Sequence, residues 1–370
     1  AGAAAFRFIQ NYREINTQDE IVVFSNEKNP FYNRVLLPEY VTAELSWEQL
    51  LKIKEEALAK LNITLQSEVA INQICTDEKK ITDSNGAIHH YDTLILATGS
   101  RPFVPENAQL HLPGRFTIRK KDDADRLRNY LEQTQLPPEE QHVVIVGGGL
   151  LGLELAAALK HKKVKITIIQ RASRLMERQL DRISSKLLAE EVQQRDIQIY
   201  FDNEVSTVFS TNRAHELEIA LKSGRTLTAN AIVYTIGTIP NIEVAKEAGL
   251  TCARGVKVNQ YLQSSNPSIF AIGEIAEFNN QLFGITSAAE EQADILANYL
   301  AGDISSHYKG SVLMNILKLE DINLCSIGEI EVPENDDSYE EIVFSDLGKK
   351  KKKKCIVKND LLIGAILMGD

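Results

Sequence analysis

Residues 142–159 carry the pattern that most restricts what this chain can fold into. An apolar run of strand length, His142 to Val146, leads into Gly147-Gly148-Gly149-Leu150-Leu151-Gly152, and an apolar helix follows. That is G-x-G-x-x-G between a strand and a helix, the layout that rests a dinucleotide's pyrophosphate on a helix N-terminus. Gly147 permits the tight turn, Gly149 lets the backbone approach phosphate, and Gly152 lets helix and strand pack closely. The candidate contacts are therefore Gly147, Gly149, Leu150, Leu151 and Gly152.

The motif lies mid-chain, and the chain opens Ala1-Gly2-Ala3-Ala4-Ala5-Phe6, which reads as the tail of a second copy. The third glycine and its helix are present there without the strand and the first two glycines. Native residues are accordingly expected to precede Ala1, because a parallel sheet lacking its central strand would expose apolar edges. Two dinucleotide sites in one chain imply a flavin and a nicotinamide exchanging electrons.

An internal comparison supports the duplication. A strand at 93–97 runs into Ala97-Thr98-Gly99, and a strand at 231–234 runs into Thr235-Ile236-Gly237, followed by Pro240 and Asn241. Between them lie strands at 143–146 and 165–169, a helix over about 150–160 and another over about 180–195. In the first block, 21–24 reads as a buried strand. Ser46 and Gln49 form a capping box that opens a helix through about Leu61. Residues 69–88 are β-rich, with Ser84-Asn85-Gly86 as a hairpin turn. The first domain resumes with a strand into Ile272-Gly273-Glu274 and a helix over roughly 287–300. From about Ser311 alternating strands read as a small α+β appendage. The expected fold class is α/β: two Rossmann-like FAD/NAD(P)-binding domains, one inserted in the other, plus that appendage. The expected boundaries are 1–108 and 241–308 for the first domain, 109–240 for the inserted one and 309–370 for the appendage.

Bulk properties narrow the function. A chain of 370 residues suits two or three domains. Its formal charge of −10 argues against a nucleic-acid surface and suits a cytoplasmic protein. The longest apolar run, 143–159, is broken by three consecutive glycines and Glu154, so it is not a membrane span. No signal peptide is visible. Cys75, Cys252, Cys325 and Cys355 lie far apart without metal-like spacing and read as free, mostly buried thiols. The seven histidines, His89 and His90 included, show no ligand spacing, and no metal site is expected. Lys349 to Lys354 are six consecutive lysines in a hairpin-patterned region. They read either as a docking site for an acidic partner or as a solvated turn or uncertain stretch of sequence.

The strand after the glycine turn normally ends in an acidic residue that binds the ribose 2′-hydroxyl. Here Gln170 holds that place, followed by Arg171 and Arg174. A glutamine can bond the hydroxyl but cannot repel a 2′-phosphate, and the arginines can pair with one. The residues thus leave NADH and NADPH both open.

The chain resembles the flavin half of the FAD- and NAD(P)H-dependent nitrite reductase large subunit. More broadly it is similar to the rubredoxin-reductase-like branch of the pyridine nucleotide-disulphide oxidoreductases. The broader likeness rests on Phe31-Tyr32-Asn33-Arg34-Val35-Leu36-Leu37, the Ala97-Thr98-Gly99 turn and Ile269-Phe270-Ala271-Ile272-Gly273. The narrower one rests on residues 174–181, 317–322 and 362–370. The resemblance implies FAD and NAD(P)H as cofactors, and it makes the first domain the FAD domain, the inserted one the NAD(P)H domain and the appendage a C-terminal interface domain. It places Gly2 at the FAD pyrophosphate and Glu27 near the adenosine ribose, with Ser25 as the alternative. Arg34 and Arg101 fall near flavin phosphates, Gly273 and Glu274 at the ribityl chain. Ala97, Thr98, Gly99, Gly237, Gln170 and Arg171 complete the cofactor set.

Two departures stand out. Relatives carry Asp at the Glu274 position, where the extra methylene moves the carboxylate by roughly 1.5 Å. No cysteine lies between Arg34 and Trp47, so thiol chemistry at the flavin is not expected. No catalytic side chain is required, because the cofactor carries the chemistry. The expected function is electron transfer from NAD(P)H through FAD to a metal-centre acceptor, as the flavin module of a nitrite reductase. The expected partner is a sirohaem/iron–sulphur subunit or domain, with rubredoxin or ferredoxin as the alternative acceptor and a homodimer as a further expectation. A non-catalytic nucleotide-binding protein, motivated by Glu274, is the remaining alternative.

Overall fold

The computed structural model describes residues 2–29, 31–319, 322–333, 336–346 and 348–369. Residues Glu320 and Asp321 of the 317–322 motif, and the terminal Ala1 and Asp370, lie outside these. The chain divides into two compact units, one of residues 1–33, 50–101 and 238–312, the other of 34–49, 102–237 and 313–370.

The second unit is built on a five-stranded parallel sheet. Its order is Ile197–Tyr200, Lys165–Ile169, His142–Val146, Ala231–Tyr234 and Arg115–Thr117. Val143, Val144, Ile145, Ile232 and Val233 are buried completely, which is why these strands read as continuous apolar runs and not as alternating ones. Helices Leu150–His161 and Arg182–Gln194 supply the crossovers. An antiparallel sheet of Val205–Ser210, Leu217–Leu221 and Thr226–Ala229 shares a core with Val144, Ile169 and Tyr234.

The C-terminal part of this unit is a five-stranded antiparallel sheet. Its order is Met314–Leu319, Ile322–Gly328, Leu361–Met368, Lys351–Lys358 and Tyr339–Asp346. The expected α+β appendage is thus corrected to sheet alone among the described residues. The links between strands are turn-length or carry acidic and proline residues, and none offers an apolar helical stripe. The lysine run is corrected too. Lys349 and Lys350 form the turn, whereas Lys351 to Lys354 are strand, with Lys352 and Lys354 facing inward at 1% and 4% exposure and Lys353 facing solvent.

In the first unit the helix Ala3–Ile15 lies along Thr286–Leu300, tied by Arg7 to Asp294 at 2.6 Å and by Asn11 to the same carboxylate. Val22–Ser25 pairs in parallel with Thr64–Ser67, and Ile269–Ala271 with Leu94–Leu96. A hairpin-linked sheet of Ile71–Cys75, Lys80–Asp83 and Ile88–His90 turns at Gly86, whose φ is +82°. The core gathers Ile269, Ala271, Val256, Ile275 and Ala276.

The helix expected from Ser46 to about Leu61 is broken. The Ser46 amide does donate to Gln49 Oε1 at 2.8 Å, but the helix it opens covers only Trp47–Leu50. There the backbone is diverted: Asn33 N–H donates to Leu50 O and Lys52 N–H to Phe31 O, both at 2.8 Å. Local helical preference loses to these pairings, and only Glu55–Leu58 and a short 3-10 turn follow. The four cysteines are free and each is partly buried. Among the described residues no helix is long and apolar enough to cross a membrane, and no cluster of three metal-ligating side chains occurs.

Candidate functional site

At the C-terminal end of strand His142–Val146 the chain turns sharply through Gly147, whose φ is +113°. A Cβ on Gly147 would stand 2.7 Å from Thr235 O, and one on Gly152 would stand 2.7 Å from Thr235 Oγ1. Side chains are therefore excluded at both positions. Gly149 differs: it caps the helix Leu150–His161, and open space surrounds its Cβ position. The helix N-terminus, with its unpaired amides, thus faces a clear approach, and Leu150 and Leu151 form its first turn. Thr235, just before the positive-φ Gly237, locks the neighbouring turn by donating its hydroxyl to Val146 O at 3.0 Å. This cradle fits a dinucleotide pyrophosphate: a bare backbone concavity at a helix N-terminus, closed to side chains at Gly147 and Gly152 and open at Gly149.

Gln170 sits one residue beyond strand Lys165–Ile169 and is buried. Its Oε1 accepts from Gly148 N–H at 2.8 Å, and its Nε2 donates to Arg174 O at 3.0 Å. The amide expected at a ribose is thus committed at both ends to the protein's own backbone. Met176 N–H closes the loop by donating to Gly148 O at 3.0 Å. Arg171 is exposed beside it, and Arg174 pairs with Glu331 at 3.1 Å.

Sequence reasoning passed over a pair of carboxyls in this unit. Glu154 lies in the glycine-turn helix, two residues after Gly152, and Glu39 lies in the short helix Leu37–Val41 that packs against it. Burial, with the Glu39 charge adding to it, pushes the Glu154 carboxyl up to about 7. Burial also raises Glu39, whose Oε2 has no hydrogen-bond partner among the described residues. The signal was present: a lone glutamate in an otherwise apolar helix.

In the first unit, Gly2 caps the helix Ala3–Ile15 with open space around it, and Phe6 N–H donates to its carbonyl at 3.0 Å. Gly273, at φ +79°, comes close to Ala4 and donates its amide to the buried Gln292 Oε1 at 2.7 Å. Glu274 accepts from Ser100 Oγ at 3.1 Å. An open helix N-terminus beside a positive-φ glycine again fits a flavin nucleotide's phosphates.

Thr98, Gly99 and Arg101 converge on Asn241, which the candidate set omitted. Thr98 Oγ1 donates to Asn241 O at 2.9 Å, Asn241 N–H to Gly99 O at 2.9 Å, and Arg101 Nη1 to Asn241 Oδ1 at 3.0 Å. Ala97 begins this turn, and Arg101 also pairs with Glu243 at 2.7 Å. Ser25 is buried at the end of its strand, while Glu27 accepts from Tyr32 OH at 2.8 Å. Arg34 belongs to the second unit, where its Nη1 donates to Arg119 O at 3.1 Å.

Comparison with known proteins adds to this geometry. A family model described as pyridine nucleotide-disulphide oxidoreductase matches residues 1–293, and one described as rubredoxin NAD+ reductase C-terminal domain matches 314–370. The assimilatory nitrate reductase electron transfer subunit of Bacillus subtilis (strain 168) is 32% identical over 370 residues, 100% of this chain and 47% of that protein. The NAD(P)H nitrite reductase of the same organism is 30% identical over 372 residues, 100% of this chain and 45% of that protein. This chain therefore spans a little under half the length of these curated relatives. A putidaredoxin reductase–putidaredoxin complex superposes with a TM-score of 0.89 at 23% identity, covering 99% of this chain and 88% of that one, a likeness of fold.

Proposed function

We propose a function from a fixed premise: this chain belongs to the pyridine nucleotide-disulphide oxidoreductase family, whose members are NAD(P)H-dependent flavin enzymes. On that premise the chain is the flavin module of a nitrite-reductase-type enzyme, taking electrons from NAD(P)H through FAD to a metal-centre acceptor. The observation that carries this reading is the glycine cradle, open at Gly149 and closed to any side chain at Gly147 and Gly152. FAD, when bound, supplies acceptance of a hydride from the nicotinamide and release of electrons one at a time.

The protein's part is binding and orientation. The amides at the start of Leu150–His161 receive the pyrophosphate of the pyridine nucleotide, and Gly2 with Gly273 marks the flavin's place in the other unit. With Gln170 bound to its own backbone, discrimination at the ribose passes to exposed Arg171, whose guanidinium suits a 2′-phosphate. NADPH is therefore the proposed donor. The names of both curated relatives support a nitrate- or nitrite-reductase setting.

The test is an anaerobic absorbance titration of the purified protein. A flavin band that bleaches with NADPH at lower concentration than with NADH is the expected result. A protein without flavin that also fails to take up added FAD would leave a nucleotide-binding protein without redox function, the outcome Glu274 raised. A second acceptor reading is favoured by the C-terminal match at 314–370: rubredoxin or ferredoxin in place of a sirohaem centre. Rates of reduction of these acceptors, measured side by side, separate the two.

A further inference from the structure

Asp181 caps the helix Arg182–Gln194, its Oδ1 accepting from Ser184 N–H at 2.9 Å. Its other oxygen, Oδ2, stands 2.5 Å from Lys352 Nζ and 3.6 Å from Lys354 Nζ. Lys354 reaches Glu341 as well, at 2.5 Å. Burial by itself would push the Asp181 carboxyl up, but Lys352 and Ser184 outweigh it and hold the group below its ordinary range. Buried ammonium groups demand an anion, so Lys352, and Lys354 in part, fasten the lysine strand to this helix cap.

From the cap, contacts run to the glycine turn. Ser185 Oγ donates to Leu175 O at 2.7 Å. The Leu175 side chain fills the space a Cβ on Gly148 would need, and Met176, held at φ +46°, donates its amide to Gly148 O. Arg174 adds its pair with Glu331. Segment 170–181 is thus bonded to the turn at one end and to the C-terminal sheet at the other.

We propose that Asp181 and Lys352 are positioning residues for the pyridine nucleotide: they hold segment 170–181 against Gly148 and so set the affinity of the glycine turn. The proposal rests on the reading of that turn as the NAD(P)H site. It gives the C-terminal sheet a task in donor binding, in addition to any role toward an acceptor.

The experiment uses the whole chain reconstituted with FAD, with steady-state reduction of ferricyanide by NADPH and equilibrium dialysis of NADP+ and of NAD+. Asp181→Asn keeps a capping side chain and removes the charge. Because it leaves the buried Lys352 without its carboxylate, the double variant Asp181→Asn/Lys352→Met, which removes one charge of each sign, provides a folded alternative. Both are expected to raise KM and Kd about tenfold while kcat changes less than twofold, whereas Lys352→Arg, which keeps the cation beside Asp181, is expected to leave KM near the wild-type value. A folded double variant with unchanged KM and Kd overturns the proposal, and so does a loss confined to kcat. Wild-type protein that binds neither NADP+ nor NAD+ would instead overturn the reading of the turn itself, and this proposal with it.

Discussion

A single carboxyl shows how burial becomes a pH dependence. Glu154 keeps its proton up to about pH 7 when folded, against an ordinary value of 4.5 when exposed. Between those values the folded state binds more protons than the unfolded one, so stability falls as pH rises through that window. Above it the full penalty is present, on the order of 3 kcal/mol. Glu154→Gln is therefore expected to stabilise the protein by about that much at pH 8.5 and by little at pH 4.5, read from urea midpoints. An equal gain at both values would mean that the carboxyl is not held neutral. Gln170 teaches the complementary lesson. Its position at the end of the strand was legible, but its use was not. Which groups its amide meets depends on how 171–176 folds back over Gly148, and no residue spacing encodes that.

At the scale of elements, the legible parts are those where one property decides. Gly147 and Gly152 were readable because sterics alone dictate them, and the buried parallel strands because every residue in them is apolar. The lysine strand was not, since six identical residues erase the alternation that marks a half-buried strand. Pairing supplies the missing parity: Lys352 and Lys354 turn inward to Asp181 while Lys353 turns out. Parity is testable. Lys353→Ala is expected to change stability by less than about 0.5 kcal/mol, and Lys354→Ala to cost about 1–2 kcal/mol, since Glu341 loses its lysine while Asp181 keeps Lys352. Equal, small effects in urea unfolding would return the run to a solvated surface. The helix lost after Leu50 has the same origin, since Phe31 and Asn33, distant in sequence, take up the backbone groups at 50–52.

At the scale of the whole molecule, the two units repeat one plan with different cofactors in view. Each carries a helix N-terminus capped by an open glycine, Gly2 in one and Gly149 in the other. Each also has a strand that runs into a positive-φ glycine turn, Gly99 and Gly237. A ligand that binds only the native form stabilises the unit it occupies, by about 2.7 kcal/mol at a hundred times its dissociation constant. Calorimetry of the flavin-free chain is therefore expected to show two transitions, FAD raising one and NADP+ the other. One transition lifted equally by both ligands would mean that the units do not unfold separately.

Gly148 has no side chain, yet both of its backbone groups are engaged, the amide by Gln170 and the carbonyl by Met176. On the proposed reading of this turn, the mould for the phosphates is set before any ligand arrives, and little reordering is left for the moment of encounter. Association becomes a matter of diffusion and orientation, without a slow conformational gate. Differences in strength among related nucleotides would then lie in how long each stays and not in how quickly each arrives.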